Sequence, residues 1–168
     1  MTRCDLRVGV IGLGALGLPM AANLRRADVP LRVHTRSRWA ERDPSLQGSI
    51  ACATPAEAAE GVNVLLVCVS DNAAVEAVLF GANGASNQLV AGSVVVDCST
   101  IAPATAITSA QRLARQDVHY LDAPVTGGTE GAKAGSLTVL VGGKTAALDR
   151  ARPVLEIIGG SIHHFRPV

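Results

Sequence analysis

The chain alternates short apolar runs with longer stretches in which apolar residues recur at helical spacing. The runs predict strands over 7–11, 31–35, 49–51, 63–69, 93–97, 118–121, 137–141 and 161–164. Most of them are apolar throughout, which is typical of strands buried on both faces of a parallel sheet. Strands that alternate with helices favour right-handed crossovers, so the pattern predicts a doubly wound, mostly parallel α/β sheet.

The first predicted helix runs from Ala15 to Arg26. Leu16, Met20 and Leu24 are spaced four apart, so they share one face and are expected to be buried.

Capping residues predict the ends of later helices. Thr54 is expected to be an N-cap, with Glu57 as its capping-box partner. We expect Gly81 to end the helix over 71–80 in a left-handed conformation, and Thr145 to cap the last helix.

Length and composition limit the class of protein. A chain of 168 residues with 48% hydrophobic residues can form one domain, expected over 1–168, and no repeat or linker interrupts it. The longest apolar stretch, 64–69, is far short of the roughly 20 residues of a membrane span. A net charge of +1 and 2% aromatic residues argue against a nucleic-acid partner.

The cysteines and histidines indicate neither a redox pair nor a metal site. Cys4, Cys52, Cys68 and Cys98 form no C-x-x-C pair, so we expect reduced thiols and a cytoplasmic location. The histidines form no spacing typical of a metal site, and no metal is expected.

The strongest local motif is G-x-G-x-x-G, which follows the first strand and opens the first helix. Gly12 would permit the tight turn, Gly14 would let a pyrophosphate approach the backbone, and Gly17 would let helix and strand pack closely. Free N–H groups at the helix start would then hold the phosphates. The motif predicts a dinucleotide site formed by Gly12, Leu13, Gly14, Ala15, Leu16 and Gly17.

The end of the second strand indicates which dinucleotide binds. An acidic residue there would bind a ribose 2′-hydroxyl, but this chain has Thr35, Arg36, Ser37 and Arg38. The arginines could clamp a 2′-phosphate, and Arg36 could stack on the adenine. We therefore predict NADP(H), with NAD(H) as second choice; the alternative is that both arginines are merely solvated.

Four segments resemble the β-hydroxyacid dehydrogenase family, which includes 3-hydroxyisobutyrate dehydrogenase and, more distantly, 6-phosphogluconate dehydrogenase. They are GLGALGLPMAANL at 12–24, VSD at 69–71, VDCST at 96–100 and DAPVTGG at 122–128. The segments occur in order over essentially the whole chain, so the resemblance implies the NAD(P)-binding Rossmann domain of such an enzyme.

The resemblance also implies roles for matching residues. Val69, Ser70 and Ala74 would face the dinucleotide, and Thr100 would approach the nicotinamide. Thr126 stands where the family usually has a serine; with Gly127 and Gly128 it would bind a substrate carboxylate.

The family's general acid/base is a lysine on a helix that would lie beyond Val168. The resemblance thus implies that this chain contains no catalytic residue and that the helical C-terminal domain is absent; neither Lys133 nor Lys144 matches that lysine. In the intact relative, hydride would pass between the nicotinamide and a small hydroxy acid or semialdehyde, and a homo-oligomer is expected.

Two alternatives stay open at this stage. The chain could be a non-catalytic NADP(H) sensor or scaffold, or a relative of the imine reductases, in which another residue replaces the lysine.

Overall fold

The computed structural model describes residues 6–165, which form one mixed sheet of nine strands with helices on both faces. The parallel part contains β1 (Val8–Ile11), β2 (Leu31–His34), β3 (Ile50–Ala51), β4 (Val64–Val67), β5 (Val94–Asp97) and β6 (His119–Asp122). Their order across the sheet is β3-β2-β1-β4-β5-β6. This is the order of a doubly wound Rossmann sheet, so the predicted fold class is confirmed.

The sheet changes direction after β6. The remaining strands are β7 (Val125–Thr126), β8 (Leu137–Gly142) and β9 (Gly159–Phe165). Asp122 pairs antiparallel with Gly142 and Val125 with Val139, whereas β9 runs parallel to β8. The sequence did not predict β7, because its two residues lie between Pro124 and Gly127, residue types that are typical of turns.

Helices cover both faces of the parallel strands. They are α1 (Gly17–Arg26), α2 (Pro55–Ala59), α3 (Asn72–Phe80), α4 (Pro103–Ala114), α5 (Gly128–Ala134) and α6 (Thr145–Ile158). Residues of α1, α5 and α6 join one apolar cluster, and residues of α2, α3 and α4 join the other. Alternate strand residues enter opposite clusters, as Leu66 and Leu65 do, which explains why the strands are apolar throughout. No helix in residues 6–165 has the length and apolarity needed to cross a membrane.

The first helix starts later than predicted. α1 begins at Gly17, and the preceding residues form a turn instead of a helical segment. Met20 and Leu24 are fully buried as predicted, but Leu16, in the turn, is only partly buried.

Two of the predicted caps need correction. Thr54 accepts the Glu57 N–H at 3.1 Å as predicted, but the Glu57 carboxylate accepts the N–H of Ala53 instead of that of Thr54. Thr145 is not a cap: Lys144 occupies that position and provides no side-chain hydrogen bond.

Gly81 is also not left-handed. Its φ is −63°, in the range of ordinary residues. A Cβ there would lie 2.6 Å from the carbonyl oxygen of Ala77, so close packing, not backbone conformation, requires the glycine.

The segment 128–134 was not among the predicted helices, but it forms the short helix α5. Its glycines disfavour a helix locally. Burial of Gly131 and Ala132 beneath the helix stabilises it, and Gly135 ends it at φ +67°.

Candidate functional site

The candidate site lies where the carboxyl ends of β1, β2 and β4 meet. The Gly12 N–H donates to the His34 carbonyl at 2.9 Å, and the Cys68 N–H donates to the Ile11 carbonyl at the same distance. The chain after β1 continues to one face of the sheet and the chain after β4 to the other, because α1 and α3 join different apolar clusters. The crevice at such a switch point is where open α/β sheets bind ligands.

The three motif glycines meet different surroundings. Gly12 has φ +95°, and an added Cβ would overlap the carbonyl oxygen of Cys68. A Cβ on Gly17 would overlap the carbonyl oxygen of Gly12. A Cβ on Gly14, in contrast, would meet no atom within 4 Å. Protein packing therefore explains two of the glycines, whereas Gly14 faces open space that a ligand could enter.

The turn that contains Gly14 also carries backbone donors that are not used within the described residues. In the described part of the chain, the N–H groups of Leu13, Gly14, Ala15 and Leu16 donate to no other group. They precede α1, so the positive end of the helix dipole adds to their attraction for an anion. These donors and the open face of Gly14 fit a diphosphate.

The residues after β2 form a tight turn, in which the Arg38 N–H donates to the Thr35 carbonyl at 3.1 Å. Arg36 and Ser37 are exposed in its centre. Arg38, one of the two arginines expected to clamp a phosphate or to be solvated, forms an ion pair: its Nε donates to the buried carboxylate of Glu41 at 2.8 Å. Arg36 forms no ion pair among residues 6–165 and stays available to a ligand.

The residues after β4 border the same crevice. The Val69 N–H donates to the Ser99 hydroxyl at 3.0 Å. The Asp71 carboxylate caps α3 by accepting the Ala74 N–H at 2.8 Å and also accepts the Ser70 hydroxyl at 2.7 Å. These hydrogen bonds, the one from Ala74 first, lower the pKa of Asp71. The Ser70 hydroxyl is thus held by the cap, and its residue is exposed.

A buried carboxylate lies beneath the next strand end and was not predicted from the sequence. Asp97, fully buried, accepts the Ser99 N–H at 2.9 Å and the Tyr120 hydroxyl at 2.8 Å. Burial raises the pKa of Asp97, and burial together with Asp97 raises the pKa of Asp122 on the neighbouring strand. The sequence signal was an aspartate ending an apolar run. Thr100 follows this network and is exposed.

The predicted substrate residues lie at the β7–α5 junction. Thr126 is exposed, and Gly127 and Gly128 have φ values of +127° and +62°. A Cβ on Gly128 would meet nothing within 4 Å, so its backbone is open to a ligand.

A cavity of about 410 Å³ lies along α1, between residues 43–45 and α5, and reaches the glycine turn at one end. Gly14, Ala15, Thr129 and Lys133 are among its lining residues. It brings the start of α5 beside the motif turn, but neither Thr126 nor Thr100 lines it.

Other candidate chemistry is limited. Cys52, Cys68 and Cys98 are free thiols, while Cys4 lies outside the described residues. No group of three or more potential metal ligands occurs between residues 6 and 165.

Comparison with known proteins identifies relatives over nearly the whole chain. Residues 7–165 match the family model of the NAD binding domain of 6-phosphogluconate dehydrogenase. The chain is 38% identical over 157 residues to 2-hydroxy-3-oxopropionate reductase of Escherichia coli (strain K12), covering 94% of this chain and 53% of that protein. It therefore spans about half the length of the curated relatives it matches.

Solved structures also match nearly the whole chain. The crystal structure of 3-hydroxyisobutyrate dehydrogenase from Salmonella typhimurium matches with a TM-score of 0.91 at 32% identity, covering 98% of this chain and 57% of that one. The structure of Psf3 in complex with NADP+ and 2-OPP matches with a TM-score of 0.89 at 35% identity, covering 95% and 56%. The crevice, the glycine turn and these matches lead to one conclusion: the chain belongs to the β-hydroxyacid dehydrogenase family and corresponds to its NAD-binding domain.

Proposed function

We propose that this chain binds NADP(H) at the crevice between β1 and β4, with the diphosphate on the turn from Gly12 to Leu16. The observation that carries the proposal is the open face of Gly14 beside four backbone N–H groups that have no acceptor within residues 6–165. A phosphate would accept from these donors, and the dipole of α1 would favour its charge.

The preference for NADP(H) over NAD(H) rests on the turn after β2. Arg36 is exposed and free of ion pairs within the described residues, so its guanidinium can hold a 2′-phosphate through charge-assisted hydrogen bonds. The N–H groups of Arg36 and Ser37 also lack an acceptor in the described part of the chain. The complex of the relative Psf3 with NADP+ supports this choice.

The test is a calorimetric titration of the 168-residue protein with NADPH and NADH. We expect NADPH to bind more tightly. Arg36→Ala should weaken NADPH binding by about tenfold or more, equivalent to about 1.4 kcal/mol or more, and leave NADH binding within about twofold. Tighter NADH than NADPH binding would contradict the coenzyme choice, and no binding of either would contradict the site.

For the intact enzyme we propose reversible hydride transfer between the nicotinamide and a small hydroxy acid or semialdehyde. The coenzyme supplies the hydride chemistry, and the protein supplies position and charge. Thr126 would donate its hydroxyl to the substrate carboxylate, while Gly127 and Gly128 would let it approach the backbone. The names of the relatives, a hydroxy-oxopropionate reductase and a hydroxyisobutyrate dehydrogenase, support this substrate class.

We further propose that the 168-residue chain alone turns over little. Lys133 pairs with Glu130 at 2.9 Å, and Lys144 is exposed at the start of α6, so neither is offered as the acid/base. Loss of a positioned acid/base costs about 10²–10⁴ in rate. Turnover by the pure protein against small semialdehydes and hydroxy acids is expected to be near background; a normal dehydrogenase rate would contradict this.

The outer strands favour an enzyme part over a stand-alone sensor. Leu140 and Phe165 are 37% and 57% exposed, and their register places both on one face of β8 and β9. The opposite face packs on α6 through Val139 and Val141. Leu140 and Phe165 are two exposed apolar side chains on a face that also carries Ser161 and His163, and they support the proposal that more protein packs here in the intact enzyme. Further proposals are a homo-oligomer for that enzyme and, from the free thiols, a cytoplasmic location.

A further inference from the structure

The turn after β2 rests on a buried acid that the sequence did not place there. Glu41 lies in a 3₁₀ turn, Ala40–Arg42, and only 2% of its side chain is exposed. Oε1 accepts the Thr35 N–H at 2.9 Å, and Oε2 accepts Nε of Arg38 at 2.8 Å. Although no acidic residue follows β2 directly, the fold therefore brings a carboxylate to its end.

Of the two arginines, Arg38 alone has an ion-pair partner among residues 6–165. Arg38 has a left-handed backbone, at φ +62°, and is held at Glu41. Arg36 has no such partner among the described residues. Its charge reaches across to Asp71 at the start of α3, where it adds a small contribution to the lowered pKa, which the Ala74 N–H chiefly causes.

A carboxylate at this point would oppose NADP(H) if it were unpaired. At the end of the second strand an acid selects a ribose 2′-hydroxyl, and like charges repel a 2′-phosphate. Arg38 cancels that charge. His34 also faces Glu41, with Nδ1 3.9 Å from Oε1, but lies closer to the Cys52 carbonyl, at 3.0 Å.

We propose that Glu41 and Arg38 form a pair that determines coenzyme specificity. Glu41 is a positioning residue, because it holds the Thr35 N–H and hence the turn that presents Arg36. Arg38 acts on NADP(H) through Glu41, by neutralising it, and does not touch the 2′-phosphate. The inference rests on the proposed function, since it concerns how the same site distinguishes the two coenzymes.

A double-mutant cycle separates the two possible roles of Arg38. The measured quantity is the ratio of the NADH to the NADPH dissociation constant for wild type, Arg38→Ala, Glu41→Gln and the double variant. Glutamine keeps an oxygen for the Thr35 N–H and removes the charge. We expect R38A to lower the ratio about tenfold in the wild-type background. In the E41Q background it should change the ratio by less than about twofold.

If Arg38 contacts the 2′-phosphate, R38A will lower the ratio equally in both backgrounds, which overturns the proposal. Arg42→Ala is the matched control, because Arg42 is exposed on the same 3₁₀ turn and forms no ion pair within the described residues. If R42A lowers the ratio as much as R38A does, any nearby positive charge suffices, and the proposal is also overturned.

A conservative variant serves as the control in case R38A does not fold. Arg38→Lys keeps the neutralising charge, so its ratio is expected within about threefold of wild type even if R38A unfolds. A tenfold loss in a folded R38K protein contradicts neutralisation. Failure of the proposed function itself would be visible in the wild-type protein, as absent binding or a preference for NADH, before any variant is made.

Discussion

At the scale of single residues, the glycines of the motif illustrate how one letter can serve different physical needs. Gly12 requires a positive φ and a close approach to Cys68, and Gly17 requires a close approach to Gly12. Gly14 has neither a positive φ nor a neighbouring atom that a Cβ would approach within 4 Å. Its place in the motif is explained by the coenzyme we propose, and this separates folding from binding experimentally.

Gly14→Ala should therefore fold normally and bind poorly. We expect an unfolding free energy within about 0.5 kcal/mol of wild type, since the new methyl group meets no protein atom. NADPH affinity should fall by about tenfold or more, because the methyl group enters the diphosphate space. Gly17→Ala is the contrasting variant, with an expected loss of about 1–3 kcal/mol in stability. Unchanged NADPH binding by G14A would contradict the proposed diphosphate position.

Asp122 predicts a pH dependence of stability. Its pKa is raised in the folded state, by burial and then by Asp97, so ionisation costs the folded protein stability as pH rises through that pKa. Asp122→Asn does not ionise. The variant should match the wild-type Tm near pH 3.5, below the ordinary pKa, and exceed it at pH 7. An equal Tm difference at both pH values would show that the carboxylate charge is not the cause.

At the scale of elements, caps connect local sequence to the site. Thr54 caps α2 away from the crevice, whereas Asp71 caps α3 beside it and also holds the Ser70 hydroxyl. A cap satisfies a backbone donor that the helix leaves free, and its loss costs about 1 kcal/mol wherever it lies. The two helices thus form a natural comparison between stability and binding.

Asp71→Ala and Thr54→Ala should cost similar stability but differ in binding. We expect each to lower the unfolding free energy by about 1 kcal/mol, measured by urea denaturation. D71A should in addition weaken NADPH several-fold, because it releases Ser70 and Ala74, while T54A should leave the affinity unchanged. If both variants bind like wild type, α3 does not contribute to the coenzyme site as proposed.

At the scale of the whole molecule, the strand order creates the crevice. β2, β1 and β4 come from distant parts of the chain and become neighbours because the strand order reverses direction at β1. A ligand that bridges these strand ends contacts several elements at once, so binding should stabilise the fold as a unit.

NADPH at about one hundred times its dissociation constant should stabilise the protein by about 2.7 kcal/mol. For a chain of this size that corresponds to a rise in Tm of roughly 5–10 °C. Differential scanning fluorimetry or calorimetry measures it, and Arg36→Ala at the same NADPH concentration should show a smaller rise. A Tm that does not respond to NADPH would contradict binding to the folded state.

The sequence by itself determined the parallel strands, the glycine turn and the family. These features follow from local rules, because continuous apolar runs suit strands covered on both faces and a G-x-G-x-x-G segment between strand and helix has few other uses. The same rules failed where neighbours compensated for local cost. Thus α5 forms despite its glycines, and Gly81 is required by a nearby carbonyl instead of by a left-handed φ.

Only the tertiary structure decided which charges face the ligand. Arg36 and Arg38 are equivalent by sequence, yet Glu41 holds one of them and leaves the other free. The sequence likewise shows Asp97 only as an aspartate at the end of an apolar run. The structure shows that its carboxylate accepts hydrogen bonds from Ser99 and Tyr120. The physical reason is that hydrogen bonding and burial depend on distances between segments, which no local pattern of residues contains.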